Sequence, residues 1–177
     1  MDQIARLVIA RHAPLARPGL AGRRDVEADC SDRAALDWLA GQLAGMPLRA
    51  SPARRCGQTC AAMGLQPQID ERLWEQDFGR WEDTGPPDLG PLSPEALAAV
   101  RPEGGETFLD MVARLAPVFD EARGDLAILG HAGTARAALY RAVGPAALSF
   151  SVAPLSVTIL IRSPGGWAVE AVNRVAP

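Results

Sequence analysis

The sequence contains no lysine, so its 18 basic residues are all arginine, set against 21 acidic residues. The net charge of −3 and the scatter of the arginines lack the basic stripe of a nucleic-acid-binding protein. We therefore expect no nucleic-acid partner. Any anion that a cationic side chain holds must be held by arginine, whose planar guanidinium suits phosphate and carboxylate.

Long apolar runs are also missing. No segment approaches the roughly 20 apolar residues that a membrane helix needs. The first residues, MDQIARLVIARHAP, have an acid near the front and lack both the basic start and the small-residue cleavage site of a signal peptide. These features predict a cytoplasmic protein with no membrane partner.

Cysteine is scarce, with Cys30, Cys56 and Cys60 as its only examples. An odd number of cysteines without an export signal argues against a disulfide framework. Cys56 and Cys60 are four residues apart, but no second Cys or His pair stands nearby at zinc-ligand spacing. We expect no structural metal.

Histidine is rarer still, because the 177 residues include only His12 and His131. Each one ends an apolar run: His12 lies in LVIARHAPL and His131 in LAILGHAGTAR. Such continuous runs are typical of parallel strands that are covered on both faces. Both histidines are therefore predicted at the tips of buried strands.

The apolar periodicity predicts alternating strands and helices along the chain. A strand IARLVIA precedes a helix near Asp32 to Ala44, which Gly45 ends. A second helix is expected to have Ser51 as its N-cap and Pro52 in its first turn. The later predicted elements are a helix from Phe108 to Phe119, a strand Leu126–Leu129, a helix from about Thr134 to Val143, and two strands, LSVTILI and WAVEAVN.

This alternation predicts an α/β fold, a three-layer sandwich with a mostly parallel central sheet and helices on both faces. A chain of 177 residues can bury one sizeable core, so we expect a single domain over residues 1–177. The sequence between Trp74 and Glu103 is rich in Pro and Gly. We interpret it as a short lid-like insert at about 82–106.

Right-handed crossovers would place the strand-to-helix turns on one edge of the sheet, where open α/β sheets bind ligands. Four polar side chains follow strands there, namely Arg11, His12, Arg55 and His131. Two imidazoles and two guanidiniums near helix N-termini make a pocket for a compact dianion. A neutral imidazole in such a pocket is a competent nucleophile toward a phosphoryl group.

Five motifs occur in a fixed order between about residue 7 and residue 140: ARHAP, SPARRCGQTC, LWEQDFGRWED, PEGGETFLDMVARL and ILGHAGTAR. With them the chain resembles the histidine phosphatase superfamily, also called the phosphoglycerate mutase-like family. One departure is the alanine in ARHAP, where the family most often has glycine. The resemblance implies a single histidine phosphatase domain and an enzyme.

The resemblance also implies roles for five residues in phosphoryl transfer. His12 would be the phosphorylated nucleophile and Glu75 the proton donor. Three side chains would hold the phosphoryl group: Arg11, Arg55 and His131. Because Asp77 and Glu82 lie close to Glu75 in the sequence, the sequence leaves open which carboxylate faces the pocket.

The remaining implied contacts come from the backbone. The N–H of Ala132 and the loop around Ala21 and Gly22 would complete the substrate-binding site. The resemblance implies neither a metal nor an organic cofactor, and it implies a small phosphorylated substrate as partner. The oligomeric state stays open.

Phosphatase activity is expected rather than phosphoglycerate mutase activity, which in this family goes with a longer chain and a larger cap. A non-catalytic phosphoester-binding protein is a further alternative. The stretch RHAPLARPGLAGRRDVEAD looks most like the α-ribazole phosphatase branch, which belongs to cobalamin biosynthesis, although Ala21 replaces an aromatic residue common there. Trp74 and Trp81 are candidate walls of the mouth, and four arginines are candidates for binding a second phosphate: Arg17, Arg23, Arg24 and Arg80.

Overall fold

A six-stranded sheet forms the centre of the computed structural model, which describes residues 4–177. Its strands are β1 (Ala5–Arg11), β2 (Leu48–Ala50), β3 (Gln68–Ile69), β4 (Leu126–Gly130), β5 (Val157–Ser163) and β6 (Gly166–Arg174). The strand order is β3-β2-β4-β1-β5-β6. Strands β1 to β4 pair in parallel, and β5 is antiparallel to both of its neighbours.

Helices cover both faces of this sheet. They are α1 (Arg33–Leu43), α2 (Arg54–Ala62), α3 (Trp81–Thr84), α4 (Pro94–Ala98), α5 (Phe108–Asp120) and α6 (Ala132–Val143), with 3-10 turns at Glu71–Leu73 and Gly144–Ser149. The apolar faces of α1 and α2 pack in one core cluster, and those of α5 and α6 pack in the other. The predicted three-layer α/β sandwich is therefore confirmed.

The two cores explain why β1 has no polar alternation. Successive side chains of a strand point to opposite faces, so Leu7 and Ile9 enter the α5–α6 cluster while Val8 and Ala10 enter the α1–α2 cluster. All four are at most 1% exposed. Burial on both faces selects a continuous apolar run that ends where β1 reaches the edge of the sheet.

The predicted start of the second helix was wrong. Helix α2 begins at Arg54 after Ala53, which provides no side-chain cap, so Ser51 is not its N-cap. The Ser51 hydroxyl instead accepts a hydrogen bond from the Ala53 N–H (3.2 Å) and lies 2.8 Å from the Nε2 of His131. A contact across 80 residues thus replaces the local cap.

Other helix ends follow their local signals more closely. Asp32 caps α1 by accepting a hydrogen bond from the Ala35 N–H (3.0 Å), and Ser93 caps α4 in the same way. Helix α6 starts at Ala132, two residues before the predicted Thr134. That earlier start brings the first N–H groups of α6 directly behind His131.

The segment at 82–106 contains the short helix α4 and all of α3 except Trp81, and close backbone contacts at two glycines fix its base. A Cβ on Gly79, whose φ is +49°, would lie 2.1 Å from the carbonyl oxygen of Glu103. A Cβ on Gly105 would lie 2.3 Å from the carbonyl oxygen of Asp77. Two stretches of backbone therefore touch here.

Among residues 4–177, no helix has the length and apolar character required to cross a membrane.

Candidate active site

Arg11 and His12 leave β1 at the edge of the sheet and are held there by backbone hydrogen bonds. The N–H of His12 donates to the carbonyl of Gly130 at the end of β4 (3.0 Å), and the N–H of Arg11 donates to that of Ser156 (3.0 Å). These bonds fix the point at which the chain turns away from the sheet. Backbone hydrogen bonds that continue those of the central sheet therefore fix the positions of both residues.

The imidazole of His12 has a defined tautomer. Its Nδ1 lies 2.6 Å from the carbonyl oxygen of Ala13, which can only accept a hydrogen bond. Nδ1 therefore carries the proton, and Nε2 keeps a free lone pair. Burial lowers the pKa of His12 to about 3, and the nearby charges of Arg55 and Arg11 act in the same direction.

His131 lies beside His12, with the ring centroids 5.2 Å apart and the ring planes 69° apart. It is fully buried, and this burial, followed by the charge of Arg55, holds its pKa well below the usual range. Its Nε2 contacts the Ser51 hydroxyl at 2.8 Å. Its Nδ1 is buried and has no hydrogen-bond partner among residues 4–177.

Arg55, in the first turn of α2, is also fully buried. Its guanidinium donates hydrogen bonds to three backbone carbonyls, those of Ala21 (3.1 Å), Gly22 (2.9 Å) and Arg24 (3.2 Å). Within the described chain, the buried Nε groups of both Arg55 and Arg11 lack a partner. Three buried nitrogen atoms in this site, Nε of Arg11, Nε of Arg55 and Nδ1 of His131, therefore lack a hydrogen-bond partner among residues 4–177.

Glu75 supplies the carboxylate of the site and is 8% exposed. One oxygen accepts a hydrogen bond from the N–H of Gln76 (2.9 Å), and the other accepts one from the N–H of Gly133 in α6 (3.2 Å). Burial raises the pKa of Glu75 against the opposing effect of these N–H groups and of the arginines. The raised pKa favours a protonated carboxyl group that can donate.

The two rival carboxylates have other partners. Asp77 accepts a hydrogen bond from the N–H of Gly79 (2.9 Å). Glu82 accepts from the N–H groups of Arg23 (2.8 Å) and Arg24 (2.6 Å). Neither side chain lines the cavity described below, so geometry favours Glu75 over both.

Three residues to which the sequence assigned no role in the site hold these groups in place. Ser51 contacts His131, and Gly133 leaves room for the carboxyl group, because a Cβ there would lie 2.0 Å from Oε1 of Glu75. Thr59 donates to the carbonyl of Arg55 (2.7 Å) and accepts from the N–H of Ala13 (3.0 Å). All three lie within the motifs SPARRCGQTC and ILGHAGTAR, and this position in the motifs was the sequence signal that could have indicated their role.

Arg114 of α5 fixes the backbone that carries Glu75. Its guanidinium donates to the carbonyls of Trp74 (3.0 Å) and Glu75 (3.4 Å) and forms an ion pair with Glu106. Glu106 also accepts from the N–H of Asp77 (3.1 Å). One helix therefore sets the position of the whole acidic segment.

A cavity of about 390 Å³ opens above these groups. Among the predicted site residues, Arg11, His12, Ala21, Glu75 and Ala132 line it. Arg55 and His131 are fully buried and do not line it, and Gly22 contributes only its carbonyl to Arg55. The structure thus brings the predicted side chains together, two of them behind the accessible surface.

Much of the cavity lining is apolar. Trp81 lines it, as predicted for a wall of the mouth, together with Leu15, Leu20, Phe78, Leu97, Val100, Phe108 and Leu148. Trp74 is not a wall, because it packs against the α1–α2 core with the guanidinium of Arg23 5.5 Å from its ring. The four arginines expected to bind a second phosphate do not line the cavity, whereas Arg136 does.

No group of three or more His, Cys, Asp or Glu side chains suited to a metal ion occurs within residues 4–177. The arrangement provides a lone pair, fixed cations, unused N–H donors and one carboxyl group. These are the parts needed to bind a phosphoryl dianion and to move a proton beside it.

The profile described as "Histidine phosphatase superfamily (branch 1)" matches residues 7–175 of the chain. A comparison with curated protein sequences finds no significant match.

Solved structures share the fold at low sequence identity. Mycobacterial hydrolase 1 is 22% identical with a TM-score of 0.80, and the match covers 98% of this chain and all of that one. A mycobacterial glucosyl-3-phosphoglycerate phosphatase is 23% identical with a TM-score of 0.76, covering 97% and 99%. A protein from Thermus thermophilus is 24% identical with a TM-score of 0.72, covering 88% and 92%.

The unused donors predict that orthophosphate stabilises the folded protein through Arg55. Phosphate at 100 times its Kd should add about 2.7 kcal/mol to the free energy of unfolding, measurable as a rise in Tm. Arg55→Met should remove this rise. The matched control is Arg54→Met, because the neighbouring Arg54 is exposed and pairs with Glu27. A phosphate-dependent rise that survives in Arg55→Met would contradict the prediction.

Proposed function

The chain belongs to the histidine phosphatase superfamily and is an enzyme of the phosphatase class, and from this premise we propose that it hydrolyses small phosphomonoesters through a phosphohistidine at His12. The observation that carries the proposal is the state of the His12 ring. Its Nδ1 donates to Ala13, its pKa is lowered to about 3, and its Nε2 lone pair is free in a site lined with cations.

The first half-reaction uses this lone pair. Nε2 of His12 attacks phosphorus, the bond from phosphorus to the ester oxygen breaks, and protonated Glu75 gives its proton to the leaving oxygen. In the second half-reaction, Glu75 takes a proton from a water molecule whose oxygen attacks phosphorus. The N–P bond breaks, its electron pair returns to Nε2, and orthophosphate leaves.

Arg11, Arg55 and His131 stabilise the phosphoryl oxygens in both steps. The Ser51 oxygen already accepts from Ala53, so its O–H is free to donate to Nε2 of His131. With that donation the His131 proton lies on Nδ1, the atom without a protein partner among residues 4–177. Fixed donors of this kind, aimed at developing charge, supply the largest stabilisation in many transfer reactions.

The apolar mouth supports a substrate with an aromatic or ribosyl body. Eight apolar side chains surround the space beyond the phosphoryl site, and a phosphoglycerate offers them no apolar surface. The motif resemblance makes α-ribazole 5'-phosphate one candidate. The similarity to a glucosyl-3-phosphoglycerate phosphatase supports the shared fold, but at 23% identity it does not identify the substrate of this protein.

The lid-like insert favours hydrolysis over mutase chemistry. Of residues 82–106, only Leu97 and Val100 line the cavity. They supply no charge to hold the bisphosphate intermediate that a mutase needs. A non-catalytic binding protein is the second alternative, and the completeness of the nucleophile, cations and carboxyl group counts against it.

His12→Ala should abolish phosphomonoester hydrolysis while the protein stays folded. The side chain follows β1 and contributes little to either core, so the Tm should change little. Rapid-quench labelling with a radioactive phosphomonoester should give an acid-labile, base-stable phosphoprotein in the wild type only. Activity should persist in EDTA, since we propose no metal. Wild-type turnover in His12→Ala would refute the mechanism.

Glu75→Gln should slow esters of alcohols far more than the 4-nitrophenyl ester, because 4-nitrophenolate leaves without protonation. The kcat of an alkyl phosphate should fall as the pH rises through the raised pKa of Glu75, and this basic limb should vanish in Glu75→Gln. The lowered pKa of His12 predicts no loss from imidazole protonation until the pH approaches about 3.

Gly133→Ala provides a second variant for the same prediction. Its Cβ would displace the Glu75 carboxyl group, so the loss should again be concentrated in alkyl esters. Gly41→Ala is the matched control, because a Cβ at Gly41 in α1 meets nothing within 4 Å. Equal losses for alkyl and 4-nitrophenyl esters would contradict the assignment of Glu75 as proton donor.

A substrate comparison separates the proposed function from its alternatives. The kcat/KM for α-ribazole 5'-phosphate and for a ribosyl monophosphate should exceed that for 3-phosphoglycerate, with released phosphate as the readout. A coupled mutase assay runs in parallel. A preference for 3-phosphoglycerate, or mutase turnover above hydrolysis, would assign the protein to the mutases, and binding without turnover would make it a binding protein.

A further inference from the structure

One cation in the cavity has no role in the mechanism above. Arg136 lies on α6 and lines the cavity together with Ala132, which precedes it by one helical turn. One turn advances about 5.4 Å along the helix axis. Arg136 therefore lies one turn further along α6 than Ala132 and borders the same cavity.

The guanidinium of Arg136 is only partly satisfied. Its Nε donates to the carbonyl of Phe150 (3.1 Å), which fixes the plane of the group against the 3-10 turn after α6. Its two terminal nitrogens make no hydrogen bond within residues 4–177, and no carboxylate of that part of the chain lies within 4.0 Å of them. The guanidinium of Arg136 is therefore held in a fixed orientation, and the N–H groups of its two terminal nitrogens can still donate hydrogen bonds.

The charge of Arg136 acts on the phosphoryl site through Arg11. Burial is the main cause of the lowered pKa of Arg11, and Arg136 lies close enough for its charge to lower that pKa further. A phosphomonoester dianion is matched by the two charges of Arg11 and Arg55. Arg136 is then a third positive charge with no counterpart.

Resting on the proposed function, we infer that Arg136 binds a second anionic group, carboxylate-like in size, on the leaving alcohol of the substrate. We assign an apolar body to this alcohol, because Leu97, Phe108, Leu148 and further apolar side chains line the same cavity as Arg136. The guanidinium fork matches a carboxylate in a bidentate pair. The inference favours substrates with such a charge over α-ribazole 5'-phosphate, whose base carries none.

The test compares 4-carboxyphenyl phosphate with its neutral isostere 4-carbamoylphenyl phosphate, with phenyl phosphate as the common reference. In the wild type, kcat/KM should be higher for the carboxy ester. In Arg136→Gln the carboxy-to-carbamoyl ratio should fall by about tenfold or more, as expected for a lost charged hydrogen bond. Using this ratio across variants cancels the intrinsic reactivity of the two esters.

Arg141→Gln is the matched control, since Arg141 is on the same helix, pairs with Asp120 and does not line the cavity. It should leave the ratio unchanged. An unchanged ratio in Arg136→Gln would overturn the inference. So would an equal loss for all three esters, because that would place Arg136 on the phosphoryl group.

Binding separates this inference from the proposed function. In the His12→Ala background, calorimetric Kd values for the two isosteric esters need no turnover, and the carboxy ester should bind more tightly only while Arg136 is present. If the wild type hydrolyses none of the esters, the proposed function fails, and these Kd values still decide the role of Arg136. Equal Kd values, or no binding of either ester, would overturn the inference.

Discussion

A fully buried guanidinium that meets no carboxylate within residues 4–177 is the constraint around which this site is built. Burial of an unpaired ion costs several kcal/mol, so the chain must surround Arg55 with dipoles. It does so with the carbonyls of Ala21, Gly22 and Arg24, and Glu82 fixes the same loop by accepting two of its N–H groups. The loop is therefore ordered by the charge that it covers. The Nε of Arg55 still has no partner among residues 4–177, and in the proposed function a phosphoryl dianion supplies the missing negative charge.

The same low-polarity environment moves the two titrating groups of the proposed mechanism in opposite senses. Burial lowers the pKa of His12 and raises that of Glu75, so each is biased toward its neutral form. A neutral imidazole supplies a lone pair and a neutral carboxyl group supplies a proton. Because folding favours protonated Glu75, stability from this group is present at low pH and lost as the pH rises through the raised pKa. The site is thus held at the expense of stability near neutral pH.

The sequence predicted the helices and strands that are determined by neighbouring residues. It did not predict contacts between residues that are far apart in the sequence. The strands β1 and β4 are continuous apolar runs because both faces are covered, and Asp32, at the predicted start of α1, acts as its local cap. Ser51 has the same local signal, but its partner is 80 residues away. The sequence could not separate Glu75 from its neighbouring carboxylates, since the choice is made by Arg114 and Gly133, which lie on other helices. The sequence also could not predict that Arg136 lines the cavity, because helical spacing does not show which face of α6 borders a cavity.

The size of the cavity connects the substrate to the fate of the phosphohistidine. A volume of about 390 Å³ accommodates a bulky leaving alcohol, whereas a water molecule takes up about 30 Å³ of the liquid. Once the alcohol departs, water can fill the space beside Glu75, whose side chain lines the cavity. In the proposed mechanism, the carboxylate that has just lost its proton is then the base that activates the attacking water. A cavity lined largely by apolar side chains therefore suits a large apolar alcohol, and in the proposed mechanism the departure of that alcohol admits the water that hydrolyses the phosphoenzyme.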